Sequence, residues 1–250
     1  MEAMGDDPLE LAGDDIDGMY RVDSFVGFGD LSVVYRGFHI GVEADIAIKL
    51  LDLPTTLDAA LVAPLVRSFR DGSRIHYRLA RAHLHIAHSI ASGQTLAPRT
   101  GAMMPYLVRE WLDGFSLAHD FSDRSARKLG GRSLADTVEL FRGAIDGLAY
   151  AHRQGVAHLA LNPTNFFLAR VGAGEVKLKI LDFGVAHAIN AHAGPGLRVL
   201  LPAYAAPEQL DAAVGESGPT TDVYAMALAI AEALAGKPMF GEAPPPLDQT

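Results

Sequence analysis

From residue 18 to residue 50, turn formers alternate with β-branched and aromatic residues. Gly18 precedes Tyr20, Val22 and Phe25; Gly27 and Gly29 precede Val33, Val34 and Tyr35; Gly41 precedes Ile46, Ala47 and Ile48. That pattern predicts strands joined as hairpins. A helix-like stretch follows over Leu57 to Ala82, and strands resume at Ile86 to Ser92 and Tyr106 to Trp111. The second half is mainly helical. Ser133 and Asp136 form a capping box, and Leu134, Val138, Phe141, Ile145 and Leu148 then recur at helical spacing until Gly155 stops the run. Short strands are predicted at Phe166–Leu168 and Val176–Leu181, and a last helix from near Thr221 to Gly236. The sum is a two-lobe α+β design: a strand-rich lobe over 19–109, a hinge over 110–114 and a helical lobe over 115–241. An acidic, solvated tail over 1–18 and a Pro-rich tail over 242–250, with Pro244, Pro245 and Pro246, flank it.

Composition narrows the functions. The 250 residues are 49% hydrophobic and 20% charged, an ordinary globular balance large enough for two lobes around a cleft. A net charge of -9 argues against a nucleic-acid partner. With no cysteine, disulfides, thiolate chemistry and Cys-ligated zinc are excluded. The first residues are acidic where a secretory leader is basic. The longest apolar run, Val223 to Ala235, is short for a membrane span and contains Glu232. The expected setting is the cytoplasm.

Several short stretches carry chemistry. Gly27-Phe28-Gly29-Asp30-Leu31-Ser32-Val33-Val34 lies between strand-like runs, where glycines let backbone N–H groups approach phosphates; a plain glycine hairpin reads the same way. Ile46-Ala47-Ile48-Lys49 ends an apolar strand on one lysine. His158-Leu159-Ala160-Leu161-Asn162-Pro163-Thr164-Asn165 follows the capped helix, Asp182-Phe183-Gly184 follows a strand, and Ala206-Pro207-Glu208 and Asp222 come later. His83, His85 and His88 invite a metal reading, but strand alternation would separate their rings.

In order and spacing these fragments resemble the Ser/Thr protein kinases, especially the bacterial members, from about Tyr20 to the end of the chain. The resemblance implies a kinase fold whose last helices are missing, so that Glu208 lacks its usual arginine partner. It also implies a nucleotide site of Gly27, Gly29, Val34, Ala47, Lys49, Glu110, Leu112 and Phe167, with Asn165 and Asp182 as metal ligands. The family pattern breaks where chemistry occurs. The catalytic aspartate falls on Ala160, its supporting lysine on Asn162, its supporting threonine on Leu201 and the preceding arginine on Leu159. The helix glutamate has no counterpart, because no Glu occurs between Glu43 and Glu110; Asp71 is the nearest acidic residue. Residues 182–208 contain no Ser or Thr to phosphorylate, and Tyr204 is expected to pack. By resemblance His158 packs on Phe183.

These breaks predict a pseudokinase that acts by binding, as a scaffold or as an allosteric partner of an active kinase or another signalling protein. Residual Ser/Thr kinase activity and unconventional nucleotide transfer are the alternatives. ATP and Mg²⁺ binding is expected to be weak and metal-dependent at most, because Phe167 and Arg109 crowd the purine. Arg109 falls at the back of the cleft, where the lost glutamate leaves Lys49 unneutralised. Asp182 is therefore expected to serve as counter-ion to Lys49, Arg109 or both.

Overall fold

The computed structural model describes residues 7–29, 31–53, 59–98, 101, 103–172, 174–183 and 201–240. The first lobe is a six-stranded antiparallel sheet of β1 (Asp15–Ile16), β2 (Tyr20–Gly29), β3 (Ser32–His39), β4 (Ala44–Leu51), β5 (Ser89–Leu96) and β6 (Met103–Glu110), in the order β1-β2-β3-β4-β6-β5. Helix α1 (Ala59–Ala80) packs beside it. The period-two pattern of β4 sorts its side chains. Ile46, Ile48 and Leu50 enter one core with Val22, Tyr35 and Val108. Ala47, Lys49 and Leu51 take the other face. Lys49 pairs with Leu107 and Ala47 with Arg109, so Lys49 and Arg109 are diagonal neighbours on one face of the sheet.

Within residues 7–18 positions 12 to 15, 17 and 18 are exposed, but two apolar side chains are anchored, which corrects the expectation of a wholly solvated tail over 1–18 for the part described. Leu11 and Ile16 are 2% and 1% exposed and join the core above β2 and β3. Asp7 accepts a hydrogen bond from the Tyr35 hydroxyl, and Asp17 one from the Tyr106 hydroxyl. The acidic residues concealed apolar ones spaced to reach the sheet. Residues 1–6 and 241–250 lie outside the described residues, and with them the Pro-rich tail.

The second lobe holds α2 (Leu117–Ala126), α3 (Leu134–Arg153), α4 (Pro207–Leu210) and α5 (Pro219–Ala235), with a small antiparallel sheet of β7 (Gly114–Ser116), β8 (Phe166–Val171) and β9 (Glu175–Ile180). Ser133 caps α3 as predicted, its hydroxyl accepting from Asp136 N at 3.1 Å. Gly155 and Gly236 follow the ends of α3 and α5 with φ of +73° and +69°, left-handed values that glycine adopts freely. Two of the five residues in the stripe read on α3 face the core. Phe141 and Leu148 are buried, but Leu134, Val138 and Ile145 are exposed. Ala144, Gly147 and Ala151 fill the buried face instead. A β-carbon on Gly143 would stand 2.0 Å from the His85 ring, so small residues are what this close packing admits. Among the described residues no helix is long and apolar enough to cross a membrane.

Candidate functional site

The sheet face that carries Lys49 and Arg109 meets Asp182, two residues after β9. Lys49 Nζ lies 2.9 Å from Asp182 Oδ2, and an Arg109 terminal nitrogen 2.7 Å from Asp182 Oδ1. The three side chains are only 9%, 8% and 14% exposed. Both expected pairings are therefore formed at once, one on each carboxylate oxygen. Burial by itself would raise the Asp182 carboxyl, but Arg109 and then Lys49 hold it well below the usual carboxylate range. The backbone of Asp182 is left-handed, with φ of 59°, a conformation aspartate tolerates better than most residues.

The face of α1 toward this site carries no anion. Asp71 points outward and pairs with Arg74 at 3.3 Å between well exposed side chains, so it does not replace the missing glutamate. Gly72 and His76 stand one turn apart on the buried side of the helix. The fully buried His76 bonds through Nε2 to Ala87 O at 2.7 Å and accepts the Phe183 N–H on Nδ1 at 3.2 Å. Those partners fit the neutral imidazole protonated on Nε2. Burial, then the Arg109 charge, push its pKa down from 6.5 to about 4. Sequence reasoning missed His76, and its polar neighbours Ser73, Arg74 and Arg78 gave no signal of burial.

The loop from His158 to Asn165 is held by a hydrogen-bonded frame and carries Ala160 where the resemblance places the family's aspartate. Asp222 on α5, 1% exposed, accepts from His158 N and Leu159 N at 2.7 Å each and bonds His152 Nε2 at 2.8 Å. This clamp holds Leu159 at φ of 64°. The His158 ring packs edge-on against Phe183 at 4.8 Å and bonds Leu181 O, as expected. The carbonyl of Ala160 accepts from the side-chain amides of both Asn162 and Asn165, at 3.1 and 2.8 Å. Asn162 also caps the turn at Pro163–Asn165, accepting from Thr164 N at 2.8 Å, so it braces the loop. The methyl group of Ala160 belongs to a buried apolar cluster with Leu51, Leu65, Phe69 and Leu107.

The remaining predicted residues fall around this centre or apart from it. Gly27 and Gly29 pair with Val34 and Ser32 in the β2–β3 hairpin. A β-carbon on Gly29 would stand 2.6 Å from Ser32 Oγ and 3.7 Å from Lys49 Nζ, so glycine brings the loop backbone close to the lysine. Val34 pairs with Lys49, and Ala47 with Arg109. The Glu110 carboxylate accepts from His88 N at 2.8 Å and pairs with Lys179. Leu112 is partly buried between β6 and β7, and Phe167 is partly buried on β8 opposite Ser116. Leu201 is 45% exposed, and its side chain supplies no hydroxyl. Glu208 accepts from the Thr221 hydroxyl, and Tyr204 donates to Glu232. Asp30, Gly184 and the segment to residue 200 lie outside the described residues. His83 stacks on Tyr150 and His85 Nδ1 bonds Leu178 O at 2.8 Å, so these rings serve packing.

The family's magnesium ion fits this donor set poorly. Magnesium is held through carboxylates, phosphates and water in octahedral geometry. Here both oxygens of Asp182 already face cations, and the Asn165 side-chain amide nitrogen donates to Ala160 O at 2.8 Å.

A sheet-rich lobe and a helical lobe, joined after β6 and meeting at a strand lysine and a loop aspartate, define the two-lobe class of phosphotransferase folds. A profile of the protein kinase domain matches residues 20–246, and the chain belongs to the protein kinase family. It is similar to the serine/threonine-protein kinase Pkn1 of Myxococcus xanthus, with 31% identity over 232 residues, covering 90% of this chain and 30% of that protein. It is also similar to the serine/threonine-protein kinase PknL of Mycobacterium bovis, with 29% identity over 242 residues, covering 96% of this chain and 54% of that protein. The chain thus spans about half the length of these relatives or less. The crystal structure of the Mycobacterium tuberculosis PknI kinase domain shares the fold, with a TM-score of 0.69 at 24% identity, covering 94% of this chain and 81% of that one.

Proposed function

We propose that this kinase-fold chain works by binding rather than by phosphotransfer, as a scaffold or allosteric partner of an active kinase or another signalling protein in the cytoplasm. One observation carries the reading: the position of the catalytic base is the buried methyl group of Ala160, with a hydrogen-bonded loop frame intact around it. A positioned base contributes about 10²–10⁴ in rate, or roughly 3–5 kcal/mol of barrier. Asn162 and Leu201 add no cation or hydroxyl that could compensate. Retained Lys49 and Asn165 favour a second reading, nucleotide use by transfer of another part of ATP.

The test is incubation with ATP labelled at the γ or the α phosphate, with generic Ser/Thr substrates present and Lys49→Ala as control. No transfer of either label is expected. γ-label transfer that disappears in Lys49→Ala would overturn the proposal, and α-label transfer would establish the second reading.

A further inference from the structure

Two cations share one carboxylate at the back of the cleft. Lys49, Arg109 and Asp182 together leave one positive charge, although the whole chain carries -9. The α1 side chain beside them is the neutral His76, and the loop carries Ala160. Neither supplies an anion. A divalent ion would have to take Asp182 from both partners and then sit beside them, like charge against like charge. Phosphate oxygens are what this arrangement can receive. A guanidinium and an ammonium are the usual phosphate partners, and Gly29 brings backbone close to Lys49.

The geometry points to a cleft that takes the phosphates of a nucleotide as a metal-free anion, with Lys49 and Arg109 as the phosphate-binding pair and Asp182 as their resident counter-ion rather than a magnesium ligand. The inference rests on the reading of this cleft as one that binds without transferring. Asp182 holds the two cations in place, and the entering anion replaces or shares its contacts. Magnesium opposes the process, because it lowers the charge of the anion while the Asp182 carboxylate is already taken by Lys49 and Arg109.

Calorimetry with ATP, and separately with inorganic tripolyphosphate, in EDTA and in excess Mg²⁺ tests this. Tripolyphosphate reads the phosphate contacts without the purine contacts that Phe167 affects. Both anions are expected to bind in EDTA, and Mg²⁺ is expected to weaken each by about threefold or more. Tighter binding with Mg²⁺, or no binding of either anion in EDTA, overturns the inference. Asp182→Asn removes the competing carboxylate, so affinity in EDTA should hold or rise; a magnesium ligand at this position predicts a loss, and a loss in EDTA refutes the assignment. Arg109→Met keeps the Lys49–Asp182 pair and gives a second variant should the first fold poorly. It should lose about tenfold in EDTA, the worth of one charged hydrogen bond, and unchanged affinity counts against the pair. Tighter binding with Mg²⁺ but no label transfer would sink this inference alone, whereas γ-label transfer would sink the proposed function.

Discussion

Replacing Asp182 by Asn should be among the most damaging single changes to stability. The substitution preserves shape and removes the one anion between two buried cations. At N–O separations of 2.7 and 2.9 Å, each attraction is about 6 kcal/mol at an effective dielectric of 20. Most of that gross attraction is offset by the desolvation of three charged groups, so the intact cluster adds little net stability. The loss is different in kind, because Lys49 and Arg109 stay buried beside each other without a counter-ion. Breaking such a pair from one side costs about 3–5 kcal/mol, a large part of an ordinary domain's stability of roughly 5–15 kcal/mol. Arg109→Met should cost less, about 1–2 kcal/mol, because it leaves a matched pair. Combined with Asp182→Asn it leaves one lysine, which can lose its proton. The double variant should therefore be more stable than the sum of single losses by about 1 kcal/mol or more. Urea unfolding of the four proteins, with m unchanged, measures this. A loss below about 1 kcal/mol for Asp182→Asn, the range of exposed ion pairs, would refute the buried-cluster argument, and so would strict additivity.

Stability should also depend on His76 and pH. Its folded pKa is about 4 against 6.5 unfolded, so unfolding takes up a proton between those values. Stability is then full above pH 6.5 and declines toward pH 4, by at most about 1.4 kcal/mol per pH unit from this group; urea midpoints should show the slope, and His76→Gln should flatten it. Asp222→Ala leaves the His158 and Leu159 N–H groups without their acceptor and should cost about 2–4 kcal/mol, visible as a lower thermal midpoint; a change under about 0.5 kcal/mol would show that the clamp is dispensable. Leu11→Ala should cost about 2–3 kcal/mol by leaving a cavity above the sheet. A neutral result there would restore the solvated tail.

The parts of this fold that were legible in sequence are those set by local rules. The glycine hairpin, the capped helix from Ser133 and the strand that ends at Lys49 follow from turn chemistry, capping and period two. So did the ion cluster, because the cations and the carboxylate could be counted once their places were known by resemblance. Three features escaped, each for a tertiary reason. Leu11 and Ile16 lie among acidic residues, and their burial depends on a sheet formed far along the chain. The α3 stripe misled because close approach of His85 favours Gly143 and that of His83 favours Gly147, leaving Leu134, Val138 and Ile145 outside. His76 looked like any helical histidine; only the fold brings Phe183 N to it, across 107 positions.

An aspartate restored at position 160 would meet a favourable local frame and an unfavourable chemistry. The frame favours success: Asp222 fixes the preceding backbone, and Asn162 and Asn165 already bond the Ala160 carbonyl. The surroundings oppose it. Ala160 is 6% exposed and shares an apolar cluster with Leu65 and Phe69, so a new carboxylate must displace them, turn toward the cleft or stay protonated. If it turns toward the cleft, it meets no lysine at Asn162 and no hydroxyl at Leu201 to orient it. Lys49 and Arg109 are already paired with Asp182. Catalysis depends on position as much as on identity. Ala160→Asp should therefore lower stability by about 1–3 kcal/mol and leave phosphotransfer far below the roughly 1–100 s⁻¹ of working kinases. Rapid γ-label transfer by this single variant would show that one side chain was all the cleft lacked, and that neither the occupied Asp182 nor the missing supports at Asn162 and Leu201 stood in the way.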